Sequence, residues 1–130
     1  MKKILIDTNI YSEFKRNNRE IVEILQSVEY IGISTTVLGE IYSGFKLGRK
    51  VNQNFKELES FLDTPRVYFL SLDETTAVFY SDIFKQLKTK GSPIPANDIW
   101  IAATAMQHGL SLLTLDKHFE KIDGLLKYYP

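Results

Sequence analysis

The chain has 130 residues, of which 44% are hydrophobic and 25% charged, and its 16 basic and 16 acidic residues give a formal net charge of zero. This composition excludes disordered, collagen-like and low-complexity chains, and the length is that of one domain, so residues 1–130 are treated as a single unit. The zero net charge by itself gives no reason to expect a nucleic-acid-binding protein.

The sequence contains no cysteine, which excludes disulfides, iron–sulfur clusters and cysteine nucleophiles. With two histidines in all, a histidine-rich zinc site is not expected, so any bound metal should have mostly oxygen ligands. Two lysines and only three apolar residues follow the first methionine, which is too short for a signal peptide, and no other apolar run is long enough to span a membrane. We therefore expect a cytoplasmic protein.

Short apolar runs alternate with longer amphipathic segments along the whole chain. The runs predict five strands, at residues 4–6, 30–33, 67–70, 112–115 and 125–129. Apolar residues at helical spacing predict helices at residues 18–28, 34–48, 51–62, 77–91 and 97–109, with Asn97 as the N-terminal cap of the last one. This alternation predicts the α/β class, with a mostly parallel five-stranded sheet and helices on both faces.

Four acidic residues are placed to meet at one edge of such a sheet. Asp7 and Asp116 follow directly after predicted strands, Glu40 lies about two turns into the helix after the second strand, and Asp98 opens an otherwise apolar helix. Ligands of parallel sheets bind beyond the carboxyl ends of the strands. These four positions are therefore candidates for one functional site.

Each acid also has an ordinary structural explanation. Asp7 would cap a helix beginning near Asn9, Asp98 would favour the positive end of its helix, Asp116 would be a turn residue, and Glu40 would lie at a solvated helix edge. Taken together, however, clustered carboxylates repel one another unless their pKa values rise or a cation neutralises them. Without cysteine, the natural cation is a hard divalent ion such as Mg²⁺ or Mn²⁺, which indicates phosphate chemistry.

Four sequence motifs, in this order, resemble those of PIN domains. They are Ile6-Asp7-Thr8-Asn9, Leu38-Gly39-Glu40-Ile41, the run Asn97-Asp98-Ile99-Trp100-Ile101-Ala102-Ala103-Thr104-Ala105, and Leu113-Thr114-Leu115-Asp116-Lys117-His118-Phe119. The resemblance covers essentially the whole chain, and the spacings suit the small VapC-type toxins of bacterial toxin–antitoxin pairs.

The resemblance implies a metal-dependent ribonuclease, a hydrolase that leaves a 5′-phosphate and a 3′-hydroxyl. It implies that Asp7, Glu40, Asp98 and Asp116 are the catalytic and metal-binding residues. Thr8, Asn9 and Thr114 match positions that support those acids. It also implies Mg²⁺ or Mn²⁺ as cofactor, a structured RNA (a transfer or ribosomal RNA) as substrate, a VapB-type antitoxin as partner, and a homodimer.

Several other residues have simpler interpretations. His108 is expected to favour the negative end of its helix, and Trp100 to pack in the core or an interface. His118 is expected to lie in a solvated turn, although its position two residues after Asp116 also allows it to approach the site or an RNA phosphate. The scattered lysines and arginines are attributed to a mixed surface, although some flank the expected crevice, where they could meet RNA phosphates. Aromatic residues of the early helices exceed what a small core needs, which suggests a dimer interface or an antitoxin groove; they are Tyr11, Phe14, Phe45, Phe55 and Phe61.

Three alternatives to a nuclease were compared with the sequence. An aspartate-nucleophile phosphatase would need a second aspartate where Asn9 stands. Nucleotide binding is not indicated either, because no glycine-rich phosphate loop follows any predicted strand. A non-catalytic module of the same fold, binding metal or a partner protein, stays open. Metal-dependent cleavage of RNA by the isolated chain distinguishes the nuclease from that module.

Overall fold

The computed structural model describes residues 2–130, and this part of the chain contains five strands and six α-helices. The strands are β1 (Lys3–Ile6), β2 (Tyr30–Ser34), β3 (Val67–Leu70), β4 (Ser111–Leu113) and β5 (Lys127–Tyr128). The helices are α1 (Thr8–Lys15), α2 (Arg19–Ser27), α3 (Thr35–Leu47), α4 (Val51–Leu62), α5 (Glu74–Lys90) and α6 (Ala96–His108), and a 3₁₀ helix spans Lys117–Lys121.

The five strands form one sheet in the order β3-β2-β1-β4-β5, and every neighbouring pair is parallel. The central strand β1 is apolar after Lys3, and Ile4, Leu5 and Ile6 have no exposed surface. Since successive side chains of a strand point to opposite faces, their complete burial means that both faces of the sheet are covered. The predicted parallel α/β sheet with helices on both faces is confirmed.

Local side-chain chemistry explains several helix ends. The Asn18 side chain accepts a hydrogen bond from the Ile21 backbone N–H (3.4 Å) at the start of α2, as the sequence predicts. Gly91 and Gly109 close α5 and α6 in the left-handed conformation, with φ values of 66° and 65°, which glycine adopts without steric cost. No helix within residues 2–130 has the length and apolar character needed to cross a membrane.

Three sequence predictions about element ends are wrong. The cap of α6 is Pro95, whose carbonyl accepts hydrogen bonds from the backbone N–H groups of Asp98 (3.1 Å) and Ile99 (3.3 Å), so Asn97 lies inside the first turn. Strand β4 ends at Leu113 rather than at residue 115, because the Thr114 side chain turns to Asp7 and Leu115 is exposed. Strand β5 is limited to Lys127–Tyr128.

Candidate active site

Asp7 lies at the carboxyl end of the central strand, where β1 passes directly into α1. The register of β1 with β4 places the end of β4 beside it, and the Asp7 backbone N–H donates to the Leu113 carbonyl (3.0 Å). One carboxylate oxygen of Asp7 accepts from the Thr8 backbone N–H (2.8 Å), and the other accepts from the Thr114 hydroxyl (2.6 Å). The predicted helix near Asn9 and its cap by Asp7 are thus present.

The Asp7 carboxylate is only 5% exposed, and its environment disfavours the charged form. Burial raises the pKa of Asp7 to about 6, opposed by the hydrogen bonds from Thr114 and Thr8 and reinforced by the negative charges of Glu40 and Asp98. This mutual influence shows that three of the four predicted acids share one region of the molecule.

Glu40 is held between two other elements rather than lying at a solvated helix edge. Its Oε1 accepts a hydrogen bond from the Thr8 hydroxyl of α1 (2.6 Å), and its Oε2 accepts one from the side-chain amide of Asn97 in α6 (2.8 Å). Both carboxylate oxygens are therefore fixed in orientation by donors from separate helices.

Asp98 and Asp116 meet through a histidine. Nδ1 of His118 lies 2.9 Å from Asp98 Oδ2 and 3.2 Å from Asp116 Oδ1. Burial raises the pKa of Asp98, which is 6% exposed; the His118 hydrogen bond opposes the rise, and the charges of Asp116 and Glu40 add to it. The His118 side chain is 48% exposed, in keeping with the expected solvated position, and it also approaches the site by joining the two carboxylates.

The segment after β4 is folded so that Asp116 faces this site. The Asp116 backbone N–H donates to the Thr114 hydroxyl (3.0 Å), and Asp116 Oδ1 caps the 3₁₀ helix by accepting from the His118 backbone N–H (2.9 Å). The Asn9 side-chain oxygen accepts from the Leu115 backbone N–H (3.3 Å). Thr114 and Asn9 thus attach this segment to β1 and α1.

Sequence reasoning missed the roles of two residues. The sequence predicts Asn97 only as a helix cap, although it adjoins Asp98 in the same motif, and it favours a solvated turn for His118 over an approach to the site, although His118 stands two residues after Asp116. The proximity of both to predicted acids was the available signal. Their contacts, however, join residues 57 and 20 positions apart in the chain, which no local pattern reveals.

The donor set fits a divalent cation. Asp98, Asp116 and His118 each offer one ligand atom, and these three atoms all lie within 4.8 Å of one another. Burial is the main reason that the pKa values of Asp7 and Asp98 are raised, and the neighbouring carboxylates add to it, so a cation bound here would stabilise the charged forms of both acids. In the structure the carboxylates of Asp7 and Glu40 lie outside this three-residue group and are held by their threonine and asparagine donors.

A match to the PIN domain family covers residues 4–125 of the chain. The chain belongs to the PIN domain family. All four acids, together with Thr8, Asn9 and Thr114, lie within the matched span.

Individual PIN relatives cover nearly the whole chain. Toxin FitB of Neisseria gonorrhoeae is 38% identical over 121 residues, which is 87% of each chain, and Ribonuclease VapC2 of Rickettsia felis is 29% identical over 130 residues, covering 94% of this chain and 93% of the relative. Among solved structures, VapBC2 of Rickettsia felis bound to a promoter DNA fragment has a TM-score of 0.89 at 26% identity, with 98% of both chains covered. FitAcB of Neisseria gonorrhoeae has a TM-score of 0.78 at 32% identity, with 96% of both covered.

Proposed function

We propose that the chain is a metal-dependent endoribonuclease that acts as a VapC-type toxin. The observation that carries the proposal is the convergence of Asp7, Glu40 and Asp98, with Asp116 joined to Asp98 through His118, at the carboxyl end of a parallel sheet. The similarity to chains named ribonucleases and toxins supports the same conclusion.

In this proposal Asp7, Glu40, Asp98 and Asp116 hold one or two Mg²⁺ or Mn²⁺ ions. The oxygen-rich donor set suits hard divalent cations, and their charge would offset both the burial and the mutual repulsion that disfavour the charged forms of Asp7 and Asp98. A bound ion would supply activation of water and neutralisation of charge on the scissile phosphate.

The other polar residues of the site hold the acids in place. Thr114 orients the second oxygen of Asp7 and also accepts from the Asp116 backbone, so one hydroxyl fixes both acids. Thr8 and Asn97 do the same for the two oxygens of Glu40. Such outer contacts keep ligand geometry constant, and their loss in other metal sites lowers metal affinity or activity about 10- to 100-fold.

The finer assignments come from the resemblance to VapC-type toxins. We propose that the substrate is a structured RNA, a transfer or ribosomal RNA, and that the toxin acts in the cytoplasm until a VapB-type antitoxin neutralises it. A basic side chain of that antitoxin could enter the acidic site, because clustered carboxylates favour a cation. Induction of the wild-type chain in a bacterial host should arrest growth, and induction of Asp98→Asn should not.

The direct test is cleavage of total cellular RNA by the purified chain, with and without Mg²⁺ or Mn²⁺, followed by mapping of the new 5′ ends. We expect a small number of discrete ends that carry 5′-phosphates, that require the metal, and that disappear in Asp98→Asn. Cleavage by Asp98→Asn at the wild-type rate would refute the assignment of this site. Metal binding without any cleavage would favour the non-catalytic module.

A homodimer is the final part of the proposal. On α5, Phe84 is 49% exposed and stacks on Tyr80, which packs in turn on Trp100 of α6. An apolar cavity of about 330 Å³ opens beside Phe84 and is lined in part by Pro93 and Ile94. Exposed apolar surface of this kind is typical of protein interfaces.

The dimer is tested by light scattering coupled to gel filtration. Phe84→Glu should convert a dimer to a monomer, whereas Val78→Glu should not, because Val78 is equally exposed but lies about 120° around the same helix. A wild-type chain that is monomeric at all concentrations would contradict this part of the proposal.

A further inference from the structure

A cavity of about 520 Å³ lies between α1, α3 and α4, directly beside the acidic site. Thr8 and Glu40, which are hydrogen-bonded to each other, line the cavity and also belong to the site. Its volume is in the range of pockets that enclose small organic ligands. A strand of substrate bound at the acids would therefore reach the cavity with its neighbouring unit.

The cavity wall contains a buried hydroxyl without a partner. Tyr11 is only 3% exposed, and its Oη makes no hydrogen bond to any of residues 2–130. Its ring is held edge-on against Phe61, with centroids 5.3 Å apart, so the hydroxyl is fixed in position. Buried hydroxyls are nearly always hydrogen-bonded, and Tyr11 is one of the residues that line the cavity, so its unpaired hydroxyl indicates a polar partner that residues 2–130 do not supply.

The rest of the lining is mixed: basic and hydrogen-bonding side chains stand beside the acid Glu57 and the apolar Ile41 and Phe45. Lys15, Arg16 and Lys50 lie around the cavity, and Lys15 forms an ion pair with Glu57 (2.9 Å) that joins α1 to α4. Gln53, Asn54 and Ser12 add amide and hydroxyl groups that both donate and accept hydrogen bonds. Cations of this kind suit phosphates, and the amides suit the edges of bases.

We propose that this cavity binds one nucleoside of the RNA strand, the one next to the scissile phosphate, and that Tyr11 contributes to the choice of base. The inference rests on the nuclease function proposed above and assigns a specificity subsite to it. Sequence-specific RNA recognition commonly takes unstacked bases into such pockets and reads their edges by hydrogen bonds. The mixed polar lining favours a nucleoside over an apolar side chain of a protein partner, which would leave the Tyr11 hydroxyl unpaired.

Two glycines of α3 provide a matched pair of test variants. A Cβ atom added at Gly44 or at Gly39 would meet no atom within 4 Å, but only Gly44 lines the cavity. Leucine favours helix more than glycine does, so both Gly44→Leu and Gly39→Leu should fold. Gly44→Leu fills the cavity without removing any polar group, whereas Gly39→Leu serves as control.

The experiment measures fluorescence anisotropy of short labelled oligoadenylate, oligocytidylate and oligouridylate in buffer with Ca²⁺ as the divalent ion. We expect the wild type to prefer one of the three, Gly44→Leu to bind that oligonucleotide about tenfold less tightly, and Gly39→Leu to match the wild type. Tyr11→Phe should lose about threefold to tenfold in affinity, chiefly for the preferred base.

Two results would overturn the subsite. One is a wild type that binds all three oligonucleotides equally or not at all. The other is a Gly44→Leu variant that binds them as the wild type does, including the case in which it loses only antitoxin binding and the cavity is a protein-docking site. Failure of the nuclease proposal is seen separately, as absence of metal-dependent cleavage in a wild type whose anisotropy still depends on Gly44.

Discussion

At the scale of single residues, the charge of Asp7 that the proposed chemistry uses also destabilises the fold. Its buried carboxylate has a pKa of about 6, above the ordinary value of 3.8, because burial and the neighbouring acids disfavour the charge. The folded state therefore binds the proton more tightly than the unfolded state does. This destabilisation is fully present above pH 6 and is lost as the pH falls towards 4, and the shift corresponds to about 3 kcal/mol.

We predict that Asp7→Asn stabilises the metal-free protein at pH 7 by about 1–3 kcal/mol. Asparagine can still cap α1 through its carbonyl oxygen, and it removes the repelled charge. Urea denaturation of both proteins measures the gain, which should shrink at pH 5, where Asp7 of the wild type is protonated. Asp82→Asn, at an exposed position of α5, is the control and should leave stability unchanged. A loss of stability in Asp7→Asn would mean that the charge is well solvated in the folded state.

Tyr11 provides a second prediction at this scale. Because its buried hydroxyl has no partner within residues 2–130, replacing it by phenylalanine should leave the free energy of unfolding unchanged or raise it by about 1 kcal/mol. Chemical denaturation without RNA checks this. A clear loss of stability would show that the hydroxyl is already satisfied, and would weaken its assignment to a nucleoside.

At the scale of elements, the start of α6 connects the fold to the site. Pro95 caps this helix with its carbonyl, so the Asn97 side chain is free to donate to Glu40 of α3. The same turn buries Asp98 next to His118. One helical turn thus positions acids from two different elements.

We predict that Asn97→Ala lowers Mn²⁺ affinity and the rate of RNA cleavage about tenfold or more. Glu40 then loses one of its two donors, and the Thr8 hydroxyl alone holds its carboxylate. Alanine is the better helix former, so the free energy of unfolding should not fall. Calorimetry and denaturation of the same preparation separate the two effects. Asn52→Ala, at an exposed position of α4, is the matched control, and an Asn97→Ala variant with wild-type metal affinity would contradict the positioning role.

Elements also show what a sequence can and cannot predict. Apolar runs and helical spacing predicted the five strands and the helices after residue 18, because burial imposes those periods locally. They did not predict that β4 ends before Thr114, since that end depends on a hydrogen bond from Thr114 to Asp7, 107 residues away in the chain. The pairing of His118 with Asp98 was missed for the same reason, because it is a contact between elements.

At the scale of the whole molecule, the strand order decides where the acids meet. A parallel sheet follows from the alternation of elements, but its order does not, and the order β3-β2-β1-β4-β5 places β1 between β2 and β4. Asp7 follows β1, α3 with Glu40 follows β2, and Asp116 follows β4 by three residues. The site therefore joins segments that are distant in sequence, and only the folded sheet brings them together.

This arrangement predicts that metal binding stabilises the entire domain. An ion held by residues of four separate segments binds the folded state alone. The free energy of unfolding should therefore rise by RT ln(1 + [Mn²⁺]/Kd), or about 2.7 kcal/mol when the Mn²⁺ concentration is a hundred times Kd, and the thermal midpoint should rise with it. Asp98→Asn should lose both this rise and the saturable heat of Mn²⁺ binding in calorimetry, while Asp82→Asn keeps both. An equal rise in Asp98→Asn would place the bound ion elsewhere on the surface. Removing charge from the cluster also relieves repulsion, so metal-free Asp98→Asn should unfold at a temperature no lower than that of the metal-free wild type. Loss of the Mn²⁺-dependent rise in this variant would then reflect loss of the metal site rather than a damaged fold.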